Sequence, residues 1–374
     1  MDTTSLVITL IVTVYMTILL SFNVSANPAV IGVDGDVKDG GTLILTGIDF
    51  GVNESVSEFV GGSSGHIEQT AEGQDSSFGN WRIAEGNGND AAAFVTSDNA
   101  RSGDKTWVVD SDYNGSLRYD YGAEIPENTD VFVSWWVRFD IDDEDTGQWK
   151  MFRLSHHNDI QDSGTELVMF NWFGGNGDQL IIRPDSCPEG SNAVSYYGGK
   201  YPEVENHWVR MDQYIHTSNK GQKDGYNATV RLDDNVERSM WSSSSDPEPK
   251  YPFVYSYTSD LRYRWFIWQN YRGNGLDNLK VWMDDIYIQV GSFARVELGN
   301  SATLQDSNVR DIQLVKSWDN GQIEIEFNQG GFKAGDDAWL YVIDGRGLAS
   351  PGFKVEIEGD DDGSGGGVED GCSG

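Results

Sequence analysis

Short runs of alternating apolar and polar residues recur along the chain, separated by clusters of Gly, Asn, Asp and Ser. Such alternation, with Val, Ile, Phe, Trp and Tyr at the apolar positions, is typical of half-buried β-strands. After residue 26 the sequence has no long segment with the period of an amphipathic helix. The pattern therefore predicts an all-β protein. The clearest predicted strands are VFVSWWVRFDI (131–141), WKMFRLS (149–155), ELVMFNWF (166–173), LIIR (180–183), HWVRMDQYIHT (207–217), NATVRL (227–232), RYRWFIWQNY (262–271) and VWMDDIYIQV (281–290).

The run HWVRMDQYIHT carries reactive side chains on one of its two sides. A two-residue period predicts an apolar, core-facing side formed by Val209, Met211 and Ile215. The opposite side receives Trp208, Arg210, Asp212, Tyr214 and His216. This second row is either a solvated face or the lining of a binding groove, and the local pattern leaves both open.

Two flanking segments differ from the aromatic-rich middle of the chain. Residues 29–51 contain a strand, a Gly turn, the strand TLILTG and an aromatic-Gly pair. Residues 294–357 contain the strand WDNGQIEIEF, the strand GDDAWLYV and the turn DGRG. In this order they resemble the two parts of an IPT/TIG immunoglobulin-like domain. Neither segment alone suffices for a sandwich of about seven strands. We expect one TIG-like domain interrupted by a large insert; the alternative is two unrelated edges of the central domain.

The central region, residues 55–292, resembles a concanavalin A-like jelly roll. The stretches SWWVRFD (134–140), HWVRMDQYIHTSNKGQKDGYNATVRLDD (207–234) and NLKVWMDDIYI (278–288) carry the resemblance. This fold is that of laminin-G modules, legume-type lectins and several polysaccharide lyases. We therefore expect an all-β protein with a concanavalin A-like jelly-roll sandwich plus a smaller immunoglobulin-like (TIG) sandwich. Because the architecture hosts both lectins and enzymes, it leaves the reaction open.

The N-terminal residues predict export. An apolar run from Leu6 to Phe22 is followed by Val24, Ser25 and Ala26, a small-residue pattern typical of signal-peptidase cleavage. We expect a secreted or cell-surface protein without a membrane segment after cleavage; a retained anchor is the alternative, since the run is near the lower length limit for crossing a bilayer. The predicted organisation is a signal peptide at 1–26, TIG-like parts at 27–54 and 293–358, the jelly roll at 55–292, and a disordered acidic Gly-rich tail at 359–374.

The formal charge of −34 excludes nucleic acid as an expected partner, because the overall field repels polyanions. An anionic ligand would need a local arginine cluster. Arginines within predicted strands are Arg138, Arg153, Arg183, Arg210, Arg264 and Arg272. They are either contacts for an anionic or hydroxylated ligand, or partners of Asp across an exposed sheet face.

The jelly-roll resemblance implies a polysaccharide lying across a concave sheet. Sugar recognition uses aromatic faces for stacking and guanidinium groups for paired hydrogen bonds. The predicted substrate-binding residues are Trp208, Arg210, Arg153, Arg183, Tyr271 and Arg272. A carbohydrate-binding protein with a polysaccharide partner is the first hypothesis. The sequence leaves the identity of the glycan and the oligomeric state open.

The enzymatic alternative is a polysaccharide lyase that cleaves an acidic glycan by β-elimination. This reaction needs a group that neutralises the uronate carboxylate, a base for the α-proton, and a proton donor for the leaving oxygen. The candidate catalytic residues are Tyr214, His216, Asn171 and Gln269. A third alternative is an adhesion or appendage structural protein, a role that suits the TIG-like segments.

A calcium site is the one metal hypothesis. DSDYNGS (110–116) matches the first half of a D-x-D-x-N-G loop, but the twelfth position is Tyr121, which excludes an EF-hand. Asp110, Asp112 and Asn114 are therefore either ligands of a structural calcium or part of an Asx-rich turn. No other cofactor is expected. Cys187 and Cys372 form no metal pattern, and their spacing leaves a disulfide between them open.

Overall fold

The computed structural model describes residues 27–53, 66–69, 81–84, 93–103, 105–110, 116–140, 147–156, 166–173, 179–185, 194–196, 206–217, 219, 226–232, 237–240, 262–272 and 279–359. These ranges contain 22 strands and no helix, which confirms the all-β class. Within them, no helix is long and apolar enough to cross a membrane. The predicted signal peptide, both cysteines and almost all of the predicted tail lie outside the described residues.

The strands follow one another with short connections where the chain is described. They are β1 (Ala29–Gly35), β2 (Thr42–Ile48), β3 (His66–Gln69), β4 (Trp81–Ala84), β5 (Ala93–Thr96), β6 (Thr106–Asp110), β7 (Ser116–Asp120), β8 (Asp130–Asp140), β9 (Gly147–Ser155), β10 (Glu166–Phe173), β11 (Gln179–Asp185), β12 (Val194–Tyr196), β13 (Val209–His216), β14 (Tyr226–Leu232), β15 (Glu237–Met240), β16 (Trp265–Arg272), β17 (Lys280–Val290), β18 (Arg295–Gly299), β19 (Arg310–Asp319), β20 (Gln322–Glu326), β21 (Asp337–Ile343) and β22 (Phe353–Glu356).

Two antiparallel sheets face each other and form the central sandwich. The first sheet has the order β15-β14-β13-β8-β17-β6-β5, with β3 also paired to β17. The second sheet has the order β12-β11-β10-β9-β16-β7-β4. The chain crosses between the sheets from β6 to β7, from β7 to β8 and from β8 to β9. Repeated crossing between two antiparallel sheets is the jelly-roll arrangement that the sequence predicts.

The core of the central sandwich lies between its two sheets and is rich in aromatic side chains. Trp135 of β8 stacks on Phe152 of β9, with ring centroids 5.3 Å apart, and Trp268 of β16 contacts both rings at 6.2 and 5.4 Å. Offset and edge-to-face contacts of this kind add to the stabilisation from apolar burial. The three apolar residues of HWVRMDQYIHT pack in the same core, which confirms the register predicted for that strand.

Strands β1, β2 and β18 to β22 form a third sheet, termed here the flanking unit, with the order β1-β2-β20-β19-β18-β21-β22. The two flanking segments of the chain meet where β2 pairs with β20, with Leu43 opposite Ile325. Strand β19 pairs first with β18 and then with β20, so the sheet folds over and β1 packs against β21 and β22. One apolar core fills the space between the layers. The resemblance of this unit to an IPT/TIG domain stays a prediction.

The chain passes between the flanking unit and the central sandwich at two neighbouring points. On one crossing, Asn53 donates its Nδ2 to the carbonyl oxygen of Ala294, on the other crossing, at 3.0 Å. Gln289 donates Nε2 to the carbonyl oxygens of Ser292 and Ala294 at 2.6 and 2.8 Å. Closely spaced termini are what allow one domain to be inserted into another without distortion. These bonds anchor the flanking unit beside the first sheet.

Candidate functional site

The structure divides the predicted site residues between two sheets. Trp208, Arg210, Tyr214 and His216 lie on or directly before β13, in the first sheet. The second sheet contains Arg153, Asn171, Arg183, Gln269, Tyr271 and Arg272. Because the outer faces of a sandwich point in opposite directions, outward residues of the two groups do not line one groove.

The flanking unit covers the outer face of the first sheet. Phe132 and Tyr287 of that sheet pack against Phe293 and Ile312, with Tyr214 beside them. The ring centroid of Tyr214 lies 4.9 Å from that of Phe132 and 5.5 Å from that of Phe293. The polar side of HWVRMDQYIHT is therefore an interface within the chain, and the expectation of an open concave groove on this side is corrected.

Arg210 is fully buried in this interface, with all three guanidinium nitrogens bonded. Its Nε donates to Ser134 Oγ at 2.9 Å and to Asp212 Oδ1 at 2.8 Å, and its Nη2 donates to Asp212 Oδ2 at 3.0 Å. Its Nη1 donates across the interface to Glu297 Oε2 at 3.1 Å and to the Arg310 carbonyl at 2.9 Å. Burial lowers the pKa of Arg210, but Asp212 and Glu297 raise it overall. The structure assigns Arg210 to holding the flanking unit and leaves it no open face for a sugar.

Tyr214, a predicted catalytic residue, has a structural contact in the same interface. Its hydroxyl oxygen accepts a hydrogen bond from Arg295 Nη2 at 2.8 Å. Burial raises the pKa of Tyr214 to about 12, although Arg295 acts in the opposite direction. A phenol that holds its proton this firmly is a poor base near neutral pH. The prediction of a base at this position is corrected by the cover that the flanking unit provides.

Glu297 lies close to three arginines of the interface. It was not among the predicted site residues. Its Oε1 accepts from Arg295 Nε at 2.6 Å, its Oε2 accepts from Arg210, and Arg310 Nε lies 3.8 Å away. Burial alone would raise the pKa of Glu297, but these three arginines hold it well below its usual range. The available signal was the two charged residues, Arg295 and Glu297, inside the otherwise apolar run FARVELG, which indicates buried charges that are paired.

His216 and Trp208 lie at opposite ends of β13. His216 Nδ1 lies 2.6 Å from Asp130 Oδ1, and its Nε2 lies 3.1 Å from Asn128 Oδ1. The imidazole thus lies between side-chain oxygens of Asp130, at the start of β8, and Asn128, just before that strand, and the His216 side chain is 22% exposed. Trp208 is half-buried immediately before the strand. The catalytic role of His216 and the sugar contact of Trp208 stay predictions.

The second sheet carries a row of arginine positions. Arg118 of β7 and Arg153 of β9 lie opposite Ile267 of β16, one on each side. The chain neighbours of both arginines pack in the core, so side-chain alternation turns the arginines to the outer face. Two strand spacings of roughly 4.8 Å separate them by about 10 Å. Arg118 is 8% exposed and Arg153 is 3% exposed. A guanidinium is buried to this degree only when it has bonding partners, and both arginines have them.

The arginine row continues in register across the sheet. Beyond Arg153 it passes Val168 of β10 to Arg183 of β11, and beyond Arg118 it reaches Arg82 of β4. Lys150 lies in the next outward row, opposite Tyr271 of β16. For Arg82, Arg183 and Tyr271 the register is described and the side chains are not. Basic positions therefore recur on four strands of a chain with a net charge of −34.

Three other predicted residues of the second sheet occupy different register positions. Asn171 and Arg272 both lie opposite Trp149, a residue of the core. Gln269 lies opposite Ser116, two residues along β16 from Ile267. The register therefore places Gln269 at the next outward position of β16, beside the arginine row and on the same face. It places Asn171 and Arg272 in a row whose described member, Trp149, faces the core.

The proposed calcium ligands are only partly described. Asp110 ends β6 opposite Lys280 of β17, and Asp112 and Asn114 lie outside the described residues. Within the described ranges, no group of three or more His, Cys, Asp or Glu side chains is arranged to hold a metal ion. A structural calcium at this loop stays a prediction.

Comparisons with known proteins return solved structures only. No protein-family model and no curated protein sequence matches the chain. Similar solved structures include alginate lyase Aly36B, at 11% identity and a TM-score of 0.41 over 60% of this chain and 96% of that one. Alginate lyase vAL-1 from Chlorella virus has 15% identity and a TM-score of 0.36, over 56% and 93% of the two chains. The metal-free carbohydrate recognition domain of Emp46p has 12% identity and a TM-score of 0.35, over 56% and 88%. Likeness of this degree assigns neither a family nor an activity.

Proposed function

We propose that the protein binds an acidic polysaccharide, outside the cell or at its surface, across the outer face of the second sheet. The observation that carries the proposal is that basic positions recur in register on four strands, from Arg82 to Arg183, in a chain whose net charge is −34. Arg118 and Arg153, which lie between these two positions, are buried and already bonded, so the proposal assigns the ligand contacts to the two ends of the row. Guanidinium groups make paired, charge-assisted hydrogen bonds to carboxylate and sulfate oxygens. A polymer with repeating anionic groups matches basic positions that repeat from strand to strand.

The cover on the first sheet supports this choice of face. The flanking unit occupies the outer face of the first sheet around Arg210, so a ligand that lies across strands is directed to the opposite sheet. Strand-borne side chains keep their positions without a loop having to become ordered on binding. Local arginines also offset the repulsion that the overall negative charge exerts on an acidic polymer.

The test is a calorimetric titration of the full chain with uronate, sulfated and neutral polysaccharides. Arg183→Lys keeps the charge at the end of the row and removes the planar fork, so we expect it to weaken binding roughly tenfold or more, as for one lost charge-assisted hydrogen bond. The matched control is Arg262→Lys, a partly exposed arginine 3.0 Å from Glu127 Oε1, which should leave affinity unchanged. Equal effects of the two variants, or tighter binding of the neutral polymer, would contradict the proposal.

A β-eliminating lyase is the second candidate, favoured by the position of Tyr271 opposite Lys150, one row from Arg153. In such a reaction a basic group removes the α-proton of the uronate, and a phenol protonates the leaving oxygen. The same polymers are incubated with the protein while the absorbance of a 4,5-unsaturated product is followed. Product that Lys150→Met abolishes would establish the lyase, and binding without product would favour recognition alone. Failure to bind any polymer would favour the adhesion or appendage role.

A further inference from the structure

A second buried ionic cluster joins the flanking unit to the first sheet. Arg101, in the loop after β5, donates Nη1 to Asp285 Oδ2 of β17 at 2.6 Å and lies 2.7 Å from Asp311 Oδ1 of β19. Its guanidinium carbon lies 3.5 Å from the ring centroid of Trp136 on β8. Asp284 lies directly beside Asp285 on β17 and is fully buried. Arg101 is therefore clamped between the two units, with three carboxyl groups around it.

The two neighbouring aspartates have different partners. Asp284 accepts hydrogen bonds from the backbone N–H groups of Arg101 at 3.0 Å, Ser102 at 3.4 Å and Asp285 at 3.0 Å. Asp285 accepts from the guanidinium of Arg101 and from Ser102 Oγ at 2.8 Å. Asp284 is thus bonded to backbone dipoles, whereas Asp285 and Asp311 share the one guanidinium.

The charged groups described at this junction do not balance when every group is ionised. The guanidinium groups are those of Arg101, Arg210, Arg295 and Arg310. The carboxyl groups are those of Asp212, Asp284, Asp285, Glu297 and Asp311. Four positive charges against five negative charges leave one negative charge inside the interface. An uncompensated buried charge is strongly unfavourable, and one bound proton removes it.

The surroundings of the Asp284–Asp285 pair favour that proton. Burial and the neighbouring carboxylate of Asp285 raise the pKa of Asp284 to about 8, although the hydrogen bonds from backbone N–H groups act to lower it. Burial also raises the pKa of Asp285, with Asp311 adding to the effect and Arg101 opposing it. The groups that face the pair are Arg101 and Ser102 from the loop after β5, Trp136 from β8 and Asp311 from β19.

We propose that the Asp284–Asp285 pair binds one proton and that this proton stabilises the packing of the flanking unit on the first sheet, so that the junction is tighter in mildly acidic than in alkaline solution. The proton is taken from solvent onto a carboxylate oxygen, and no other bond changes. When it leaves, Asp284, Asp285 and Asp311 carry three negative charges around one guanidinium. Repulsion then acts between β17 and β19, which belong to different units. This device is independent of the proposed glycan surface, which lies on the other sheet.

The direction of the pH effect follows from proton linkage. The folded pKa of Asp284 lies above its unfolded value of about 3.9, so proton binding favours the folded junction. The stabilisation is complete below the unfolded pKa and is lost as the pH rises through about 8. For one proton, the equilibrium constant of unfolding rises by up to about tenfold per pH unit in this window.

The test compares urea unfolding of the full chain with that of Asp284→Asn between about pH 5 and pH 9. Asn keeps the shape and one acceptor for the backbone N–H groups and has no proton to lose. We expect the unfolding constant of the unmodified protein to rise more steeply with pH, by up to about tenfold per unit, and Asp284→Asn to be the more stable at the alkaline end. Asp319→Asn, at the exposed end of β19, should keep the original slope. Equal slopes for the unmodified protein and Asp284→Asn would overturn the proposal.

A second measurement needs no variant at this position. Difference infrared spectroscopy of the unmodified protein should show the carbonyl band of a protonated carboxylic acid near neutral pH, and this band should vanish above about pH 9, beyond the pKa of the pair. Amide exchange of Arg101 and Ser102, corrected for its intrinsic pH dependence, should accelerate over the same range more than that of core strand β8. Absence of the acid band at neutral pH would overturn the proposal even if Asp284→Asn failed to fold.

Discussion

Arg210 of β13 and Glu297 of β18 form an ion pair across the junction of the two units, with Nη1 3.1 Å from Oε2 and both side chains at most 1% exposed. Arg210 also bonds Asp212, and Glu297 also accepts from Arg295, so the pair is part of a continuous network. A buried pair tolerates the loss of one partner poorly, because the other charge remains without compensation. The stability of the whole chain therefore depends on contacts between the units.

Removing the charge of Glu297 tests this dependence. Glu297→Gln keeps the shape of the side chain, removes the carboxylate that pairs with Arg295, and leaves Arg210 with Asp212 as its one bonded counter-charge among the described residues. We expect the free energy of unfolding, measured in urea, to fall by about 3–5 kcal/mol. The matched control is Glu326→Gln, whose partly exposed carboxylate lies 2.8 Å from Lys316 Nζ and should change the free energy by less than about 1 kcal/mol. Similar small effects at both positions would contradict a network that holds the units together.

The same carboxylate predicts how stability falls in acid. Although burial acts in the opposite direction, the arginines hold the pKa of Glu297 below its usual range. A depressed folded pKa stabilises the protein above the unfolded pKa of about 4.3, and that contribution is lost as the pH falls through the folded value. The melting temperature of the unmodified protein should therefore fall below about pH 4 more steeply than that of Glu297→Gln. Parallel curves in acid would exclude this assignment.

The loop that carries Gly330 predicts a steric effect at the junction. Gly330 has a φ of 56°, and a Cβ at this position would overlap the carboxyl group of Asp311, which accepts from Gly331 N at 3.0 Å. Gly330→Ala should lower the free energy of unfolding by more than the roughly 1–2 kcal/mol that a left-handed conformation costs an L-residue. Gly335→Ala, at φ 83° with no atom within 4 Å of the added Cβ, should show the conformational cost alone. Equal effects would mean that Asp311 adjusts without loss.

Tyr214→Phe separates a structural role from a role in binding. The change removes the hydroxyl that accepts from Arg295 Nη2 and keeps the ring between Phe132 and Phe293. We expect the free energy of unfolding to fall by about 1–3 kcal/mol, because a buried donor loses its partner. Affinity for the polysaccharide should be unchanged, since Tyr214 lies on the sheet opposite the proposed surface. If Tyr214→Phe bound the polysaccharide more weakly and kept the original melting temperature, Tyr214 would be a ligand contact and not a structural residue.

The sequence alone determined the elements and their sides. Alternation in VFVSWWVRFDI and HWVRMDQYIHT predicts strands, and it correctly assigns Val209, Met211 and Ile215 to the core. This works because a strand turns successive side chains to opposite faces, so a local pattern carries the information. The same reasoning indicated the all-β class and the strand-borne arginines, among them Arg153.

Only the tertiary structure decided which parts of the chain cover each row of polar side chains and which residues lie beside it. Alternation predicts that the side chain of Arg210 points away from the core. It does not predict that Glu297, on a strand more than eighty residues further along the chain, covers that side chain and accepts a hydrogen bond from it. In the same way, the row of Arg118, Ile267 and Arg153 exists only through pairing between strands that are remote in sequence. A local pattern reports the side of a strand, whereas the cover on that side and the neighbours across it depend on strand order and register.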